Sequence, residues 1–486
     1  MRNEYVQKSQ INQKPKKTDL QIYKENYDIL QHNYIPQHAF LPKPSNNIQD
    51  SILNKPFFNI KYQREFWIYD FTSSSYYKKN AKLFTIGKYC YVYMQDYCIA
   101  ELGEYAANKQ AENICHEFDN IIFPRVTDLA GHPNGTLGDI DGDPRIIILL
   151  ISNSISYYDQ RNELNLDYSN MCEMFYIYYK TGMSTIAHEF HHLIWFNNEM
   201  DEPHFTLEAL AEYSTYYAGY LTPRNNLSSR SALFLDHPED SLIYWNMLNS
   251  IDYGGVYLFA FYIAEHYGVD ILRNLITEPA DGAYGIEKVL QRAGYNITFN
   301  ELYLNWITAL TLDELGFNNN LYGFKNLNAR VTKYTLIRES SLMDKVKLYY
   351  YGFHVHKLLS PSNEFIVEIR KDLDKTIGLS IAFHDASGWH MYQKLLNKEN
   401  KLTFEHISGF DIDEMYIITS YIFHQTPPLP SENGLGPFTY IEIIIDDSTG
   451  DTIVPFLKFI GNFTSILIAS MIIIIIVRYI LKKAKE

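Results

Sequence analysis

The stretch STIAHEFHHLIWF, Ser184 to Phe196, places three histidines and one glutamate within five positions of an otherwise apolar run. Read as a helix turning about 100° per residue with His188 at the origin, it puts His192 at roughly 40° and Glu189 at roughly 100°. Ile186, Phe190, Leu193 and Ile194 fall between roughly 140° and 240°, on the opposite side. A helix buried by that apolar side turns two imidazoles and a carboxylate toward a common point. His188, Glu189 and His192 form H-E-x-x-H, where neutral imidazoles suit zinc and the flanking carboxylate can take a proton from a metal-activated water. His191 falls at roughly 300°, away from Glu189, and reads as a second-layer or half-exposed bystander.

Five residues do not by themselves distinguish a metal centre from a buried polar cluster. A catalytic zinc needs three protein ligands and one open position. The next helical segment, FTLEALAEYSTYYAGY (Phe205–Tyr220), offers Glu208 and Glu212 at i and i+4, on one face. The polar turn-formers of NNEMDEPH lie between, enough to reverse the chain. With Glu208 as third ligand, Glu212 sits one turn on, placed to accept the remaining N–H of a ligating histidine. The reverse assignment of the two glutamates stays open at this level. His204 is set aside as a ligand, as are His354, His356, His384 and His390 in the strand-rich C-terminal region.

HEFHH followed by LEALAE resembles the gluzincin zinc metallopeptidases, which place a glutamate from a second helix beside H-E-x-x-H. DIDGDPRIIILLI, SNMCEMFYIYY, TIAHEFHHLIWFNNEMDE, YGGVYLFAFYIAEHYG and TFNELYLNWITALTLDE follow in the order of one branch, the hyicolysin-like secreted proteases. The resemblance covers residues 85–315 and implies Zn2+ bound by His188, His192 and Glu208, with Glu189 as catalytic base and Glu212 in support. The family's Trp-Leu-Asn-Glu-Gly type of third-ligand sequence is replaced here by Thr206-Leu207-Glu208-Ala209.

The reaction so implied is hydrolysis of a protein or peptide substrate, with Glu189 moving the proton from water to the leaving amine. Tyr253 and Tyr257, in DYGGVYLF, are candidates for the additional oxyanion donor. Two other functions compete. One is a catalytically degenerate, membrane-anchored interaction protein, which would have no need of an intact Glu189. The other is a zinc aminopeptidase, for which no segment reads as an N-terminal amine anchor.

The rest of the 486-residue chain sets the frame. A 46% hydrophobic, 20% charged composition is that of a globular protein. The net charge of -15 and the lack of a basic, aromatic-interleaved run exclude nucleic acid as a partner. Cys90, Cys98, Cys115 and Cys172 fit no C-x-x-C pattern, and their number allows either disulfides or free thiols. DIDGDP carries Asp139, Asp141 and Asp143 but departs from the EF-hand spacing, so a tight acidic turn is expected there. The apolar IIILLI after it reads as a buried central strand. No signal peptide is legible in the polar N-terminal stretch.

The expected fold is α+β: a gluzincin-type metallopeptidase domain with a mixed sheet and active-site helices, a β-sandwich-like module, and one transmembrane helix. The expected boundaries are a polar leader over 1–55, a β-rich region over 56–105 and the metallopeptidase domain over 106–322. The β-sandwich-like domain follows over 323–450, the transmembrane helix over 459–480 and a basic tail over 481–486. The membrane expectation rests on about twenty uncharged residues from Phe459, enough to cross a bilayer core. Lysines after this segment put the tail in the cytoplasm, which implies a lipid bilayer as partner and an extracellular catalytic domain.

Overall fold

The computed structural model describes residues 61–133, 140–199, 201–221, 227–246, 249–338, 341–359, 361, 364–407, 409–428 and 436–446. They belong to two compact units, one drawn from Met1–Asn226 and Asn246–Gly285, the other from Leu227–Trp245 and Ile286–Glu486. The architecture is α+β with mixed sheets.

The first unit is built on a six-stranded sheet. Strands β1 (Gln63–Asp70), β2 (Ser75–Ile86) and β3 (Cys90–Gln95) form an antiparallel meander. The chain then runs through α1 (Asp96–Leu102), α2 (Glu104–Glu117), a π-helical turn (Phe118–Ile122) and α3 (Phe123–Ala130) before β4 (Ile146–Ile151). This helical crossover is what lets β4 lie parallel to β3, since parallel neighbours need a long connection. All six residues of β4, IIILLI, are buried, which accounts for a strand with no polar alternation. The short β5 (Tyr157–Tyr158) is antiparallel to β6 (Met174–Tyr178), which is itself parallel to β4. The sheet order is β1-β2-β3-β4-β6-β5, so the N-terminal strands continue the same sheet as the buried centre.

Directly after β6 come α4 (Met183–Asn198) and α5 (His204–Tyr217). The apolar side of α4 is fixed by Phe190, which is fully buried and sits 5.0 Å from Phe118, 5.4 Å from Phe123 and 6.5 Å from Phe175, ring centre to ring centre. The π turn brings in Phe118, α3 brings in Phe123 and the sheet brings in Phe175. Small residues line the α4–α5 crossing, where Ser214 Oγ donates to the carbonyl of Ala187 at 3.3 Å. A larger side chain there would push the helices apart, and with them the polar groups on their facing sides. Helix α6 (Ser229–Asp236) belongs to the second unit, and the first resumes with α7 (Ser250–Tyr267) and α8 (Val269–Leu275).

After α9 (Gly282–Arg292), the second unit contains α10 (Phe299–Leu312), started by a capping box between Thr298 and Glu301. Nine strands follow: β7 (Thr335–Ile337), β8 (Ser341–Tyr349), β9 (Phe353–Leu359), β10 (Glu364–Arg370), β11 (Thr376–Asp385), β12 (Gly388–Leu396), β13 (Lys401–Ile407), β14 (Ile412–Ile422) and β15 (Phe438–Asp446). They make a four-stranded sheet, β13-β10-β15-β8, and a five-stranded sheet, β12-β11-β14-β9-β7. The two sheets meet where Phe365 of β10 packs on Phe383 of β11, 5.7 Å apart. Helix α10 covers the five-stranded sheet, with Tyr303 Oη 3.1 Å from Ser420 Oγ and Thr308 Oγ1 donating to Ser380 Oγ at 3.2 Å.

One expectation is corrected. Among the described residues no helix is long and apolar enough to cross a membrane. The longest of them, α7, has 18 residues, spans about 27 Å at 1.5 Å per residue, and carries Asp252, Glu265 and His266. The transmembrane helix expected over 459–480, and the bilayer contact drawn from it, are not found among the described residues; that segment lies outside them.

Candidate metal centre

Helix α4 presents His188 and His192 one turn apart, with their Nε2 atoms 3.1 Å from each other. From α5, Glu208 Oε2 stands 3.1 Å from His188 Nε2 and 3.6 Å from His192 Nε2. These three donor atoms form a small triangle. Glu212, one turn further along α5, lies on the other side of the His188 ring, with Oε1 3.6 Å from Nδ1. The four side chains are nearly enclosed, Glu208 most of all.

The charges answer to one another. Burial works to lower the pKa of His188, but the carboxylates of Glu208, Glu189 and Glu212 outweigh it and raise the imidazole to about 9. Burial works to raise Glu208, yet the two imidazoles hold its carboxyl well below the usual carboxylate range. Glu189, next to His188 in sequence, is buried, and that burial raises its pKa against the pull of His188 and His192. The backbone N–H of Tyr158 at β5 reaches its carboxylate, while Oε2 has no hydrogen-bond partner among the described residues.

No family model matches the chain. The neutral metalloprotease ShpI of Staphylococcus hyicus is 26% identical over 286 residues. That similarity takes in 51% of this chain and 62% of the relative, so less than two thirds of the relative's length is spanned. Among solved structures, the Yersinia pseudotuberculosis-derived mitogen (9% identical) covers 23% of this chain and 91% of its own, at a TM-score of 0.15. CorA, a surface-associated copper-binding protein of Methylomicrobium album BG8 (7% identical), covers 24% and 98%, at a TM-score of 0.17. Neither likeness carries an argument about the fold.

The two tyrosines singled out on α7 have separated environments. The Tyr253 ring lies 6.4 Å from that of His188, half-buried at the edge of the triangle. Tyr257, one turn on, is fully buried; burial first, then Tyr216, Tyr213 and Glu212, push its phenol pKa far up. His191 is not half-exposed: it is completely buried beside Trp195, 5.6 Å between rings, and burial drives its pKa well below the ordinary value. His204 is buried at the start of α5 and is not one of the three clustered donors.

The acidic turn is braced internally. Asp143 accepts from Tyr91 Oη at 2.5 Å and from Arg145, and Asp141 accepts the backbone N–H of Asp143. Asp139 lies outside the described residues. All four cysteines are buried thiols. Sequence patterning overlooked Glu163, whose Oε1 accepts from Tyr158 Oη at 2.9 Å and whose pKa burial lifts to about 8. It comes from a single short 3-10 turn (Gln160–Glu163), too short to show a periodicity, so nothing local marks its approach to Tyr158, whose backbone reaches Glu189.

Proposed function

We propose that this chain is a zinc-dependent endopeptidase whose centre is His188, His192 and Glu208, with Glu189 as general base. The observation that carries it is the donor triangle, with edges of 3.1, 3.1 and 3.6 Å. Ligands about 2.0–2.1 Å from a tetrahedral zinc are separated by roughly 3.3 Å, so two imidazoles and a carboxylate fit that ion. Zinc held there would supply an activated water and polarise the scissile carbonyl.

The chain's own residues supply the rest. Glu189 is buried next to the triangle with one carboxylate oxygen free of hydrogen bonds among the described residues, ready to accept a proton from water and pass it to the leaving amine. Its raised pKa brings it nearer to the working pH of a general base. Glu212, at Nδ1 of His188, orients the ring so that Nε2 faces the centre. Tyr253 is the side chain we assign to donate to the oxyanion, because it borders the His188 ring from outside the ligand set. Similarity to a neutral metalloprotease supports a peptide substrate.

Dialysis against a chelator should abolish cleavage of an N-terminally blocked peptide, and zinc should restore it. Cleavage confined to free-amine peptides would make the protein an aminopeptidase. No cleavage of either by zinc-loaded protein would overturn the assignment to peptide hydrolysis.

A further inference from the structure

A second group of metal-ligating side chains lies in the β-sheet unit. His354 and His356 alternate on β9, so both rings project from one face while Val355 enters the core on the other. Their ring centres are 4.7 Å apart. Asp344 comes from β8, and its Oδ2 is 3.0 Å from His356 Nε2. One donor atom from each of the three lies within 4.8 Å of the others.

We propose that Asp344, His354 and His356 form a site for a divalent transition-metal cation, zinc being the one tested, that clips the two sheets together. Strand β8 belongs to the four-stranded sheet and β9 to the five-stranded one, so an ion shared by these residues ties one sheet to the other. A simple His356–Asp344 hydrogen bond is the competing explanation, but it leaves features unaccounted for. His356 is 0% exposed, yet its Nδ1 has no partner among the described residues. A second imidazole, half-buried, is brought against the first at a tilt, although pairing two such rings gains little for ordinary packing.

Neutral imidazoles with a carboxylate are donors for zinc and its neighbours, whereas calcium and magnesium call for oxygen ligands. Other nearby groups are occupied. Glu239 is paired with Lys333, and Thr335 Oγ1 is 2.9 Å from His354 Nε2, which leaves Nδ1 of that ring for a cation. Asp344 is 35% exposed on its side chain, so water can enter and complete the coordination.

The test is a zinc titration of the chelator-stripped full chain, with bound metal read by equilibrium dialysis and mass spectrometry, and Tm read in parallel. With both centres present, about two zinc ions bind per chain. His188→Ala should retain one of them, with zinc still raising Tm. His354→Ala and Asp344→Asn should each lose one and keep peptide cleavage. Zinc stoichiometry unchanged by His354→Ala and Asp344→Asn overturns the proposal, as does a His188→Ala protein that binds no zinc. A catalytic centre that fails to bind shows itself differently, as a stoichiometry unaffected by His188→Ala. The His188→Ala arm leaves the β unit intact, so it decides even if the β-unit variants do not fold.

Discussion

His188 Nε2 stands 3.1 Å from Glu208 Oε2, a contact that joins two helices whose only shared sequence feature is a pair of polar residues four apart. The same ring has Glu212 at its other nitrogen, 3.6 Å away. The two glutamates therefore differ in which face of one imidazole they address. Glu208→Ala should remove the zinc held between α4 and α5, one ion per chain, as measured by metal analysis after dialysis. Glu212→Ala should weaken zinc about 10–100-fold without abolishing it. Greater metal loss in Glu212→Ala would reverse the roles.

Glu189→Gln should bind zinc as the parent does and lose casein hydrolysis by roughly 10²–10⁴-fold, the usual contribution of a positioned acid–base group. The amide keeps the shape of the side chain but accepts no proton. Retained hydrolysis would remove Glu189 from the mechanism.

Tyr253→Phe should lower kcat by about 10²–10³-fold with zinc content and KM close to the parent, if its hydroxyl meets the oxyanion. Tyr257→Phe should leave kcat alone, since that side chain is fully buried. The two substitutions are chemically identical, so a reversed ranking of kcat would identify the wrong tyrosine.

Acidity should act on the metal-free centre in a definite direction. His188, raised to about 9 in the fold, has an ordinary value of 6.5. Its ion pairing thus stabilises the metal-free protein fully below about pH 6.5, and the contribution is lost as pH rises through about 9. Glu208 shifts the opposite way, so its contribution is lost on the acid side. The Tm of chelated protein should fall from pH 6.5 toward 9, and His188→Ala should flatten that slope. Zinc must displace the proton, so its apparent affinity should climb about tenfold per pH unit over the same range. An affinity independent of pH there would show that His188 is already neutral.

Phe190→Ala should cost about 3–5 kcal/mol, because the ring is fully enclosed by Phe118, Phe123 and Phe175. Thermal unfolding measures it directly. Zinc affinity should fall as well, since the cavity loosens the helix that carries two of the proposed ligands; an unchanged affinity would show that α4 is held by its other contacts.

Local periodicity determined what lies within one element. The arc shared by His188, Glu189 and His192, the i and i+4 spacing of Glu208 and Glu212, and the unbroken IIILLI strand are all consequences of 3.6 or 2 residues per repeat. A linear chain contains that information because neighbours in sequence are neighbours in the element. Contacts between elements are different, since many packings satisfy the same pattern. Which glutamate meets Nε2, which of two tyrosines borders the centre, and the full burial of His191 beside Trp195 were decided by the close crossing of α4 and α5 and by the packing of α7. His354 and His356 offered no metal site by themselves. Only the approach of β8 to β9, 12 residues apart at the Asp344–His356 pair, added the carboxylate that gives those two rings a use.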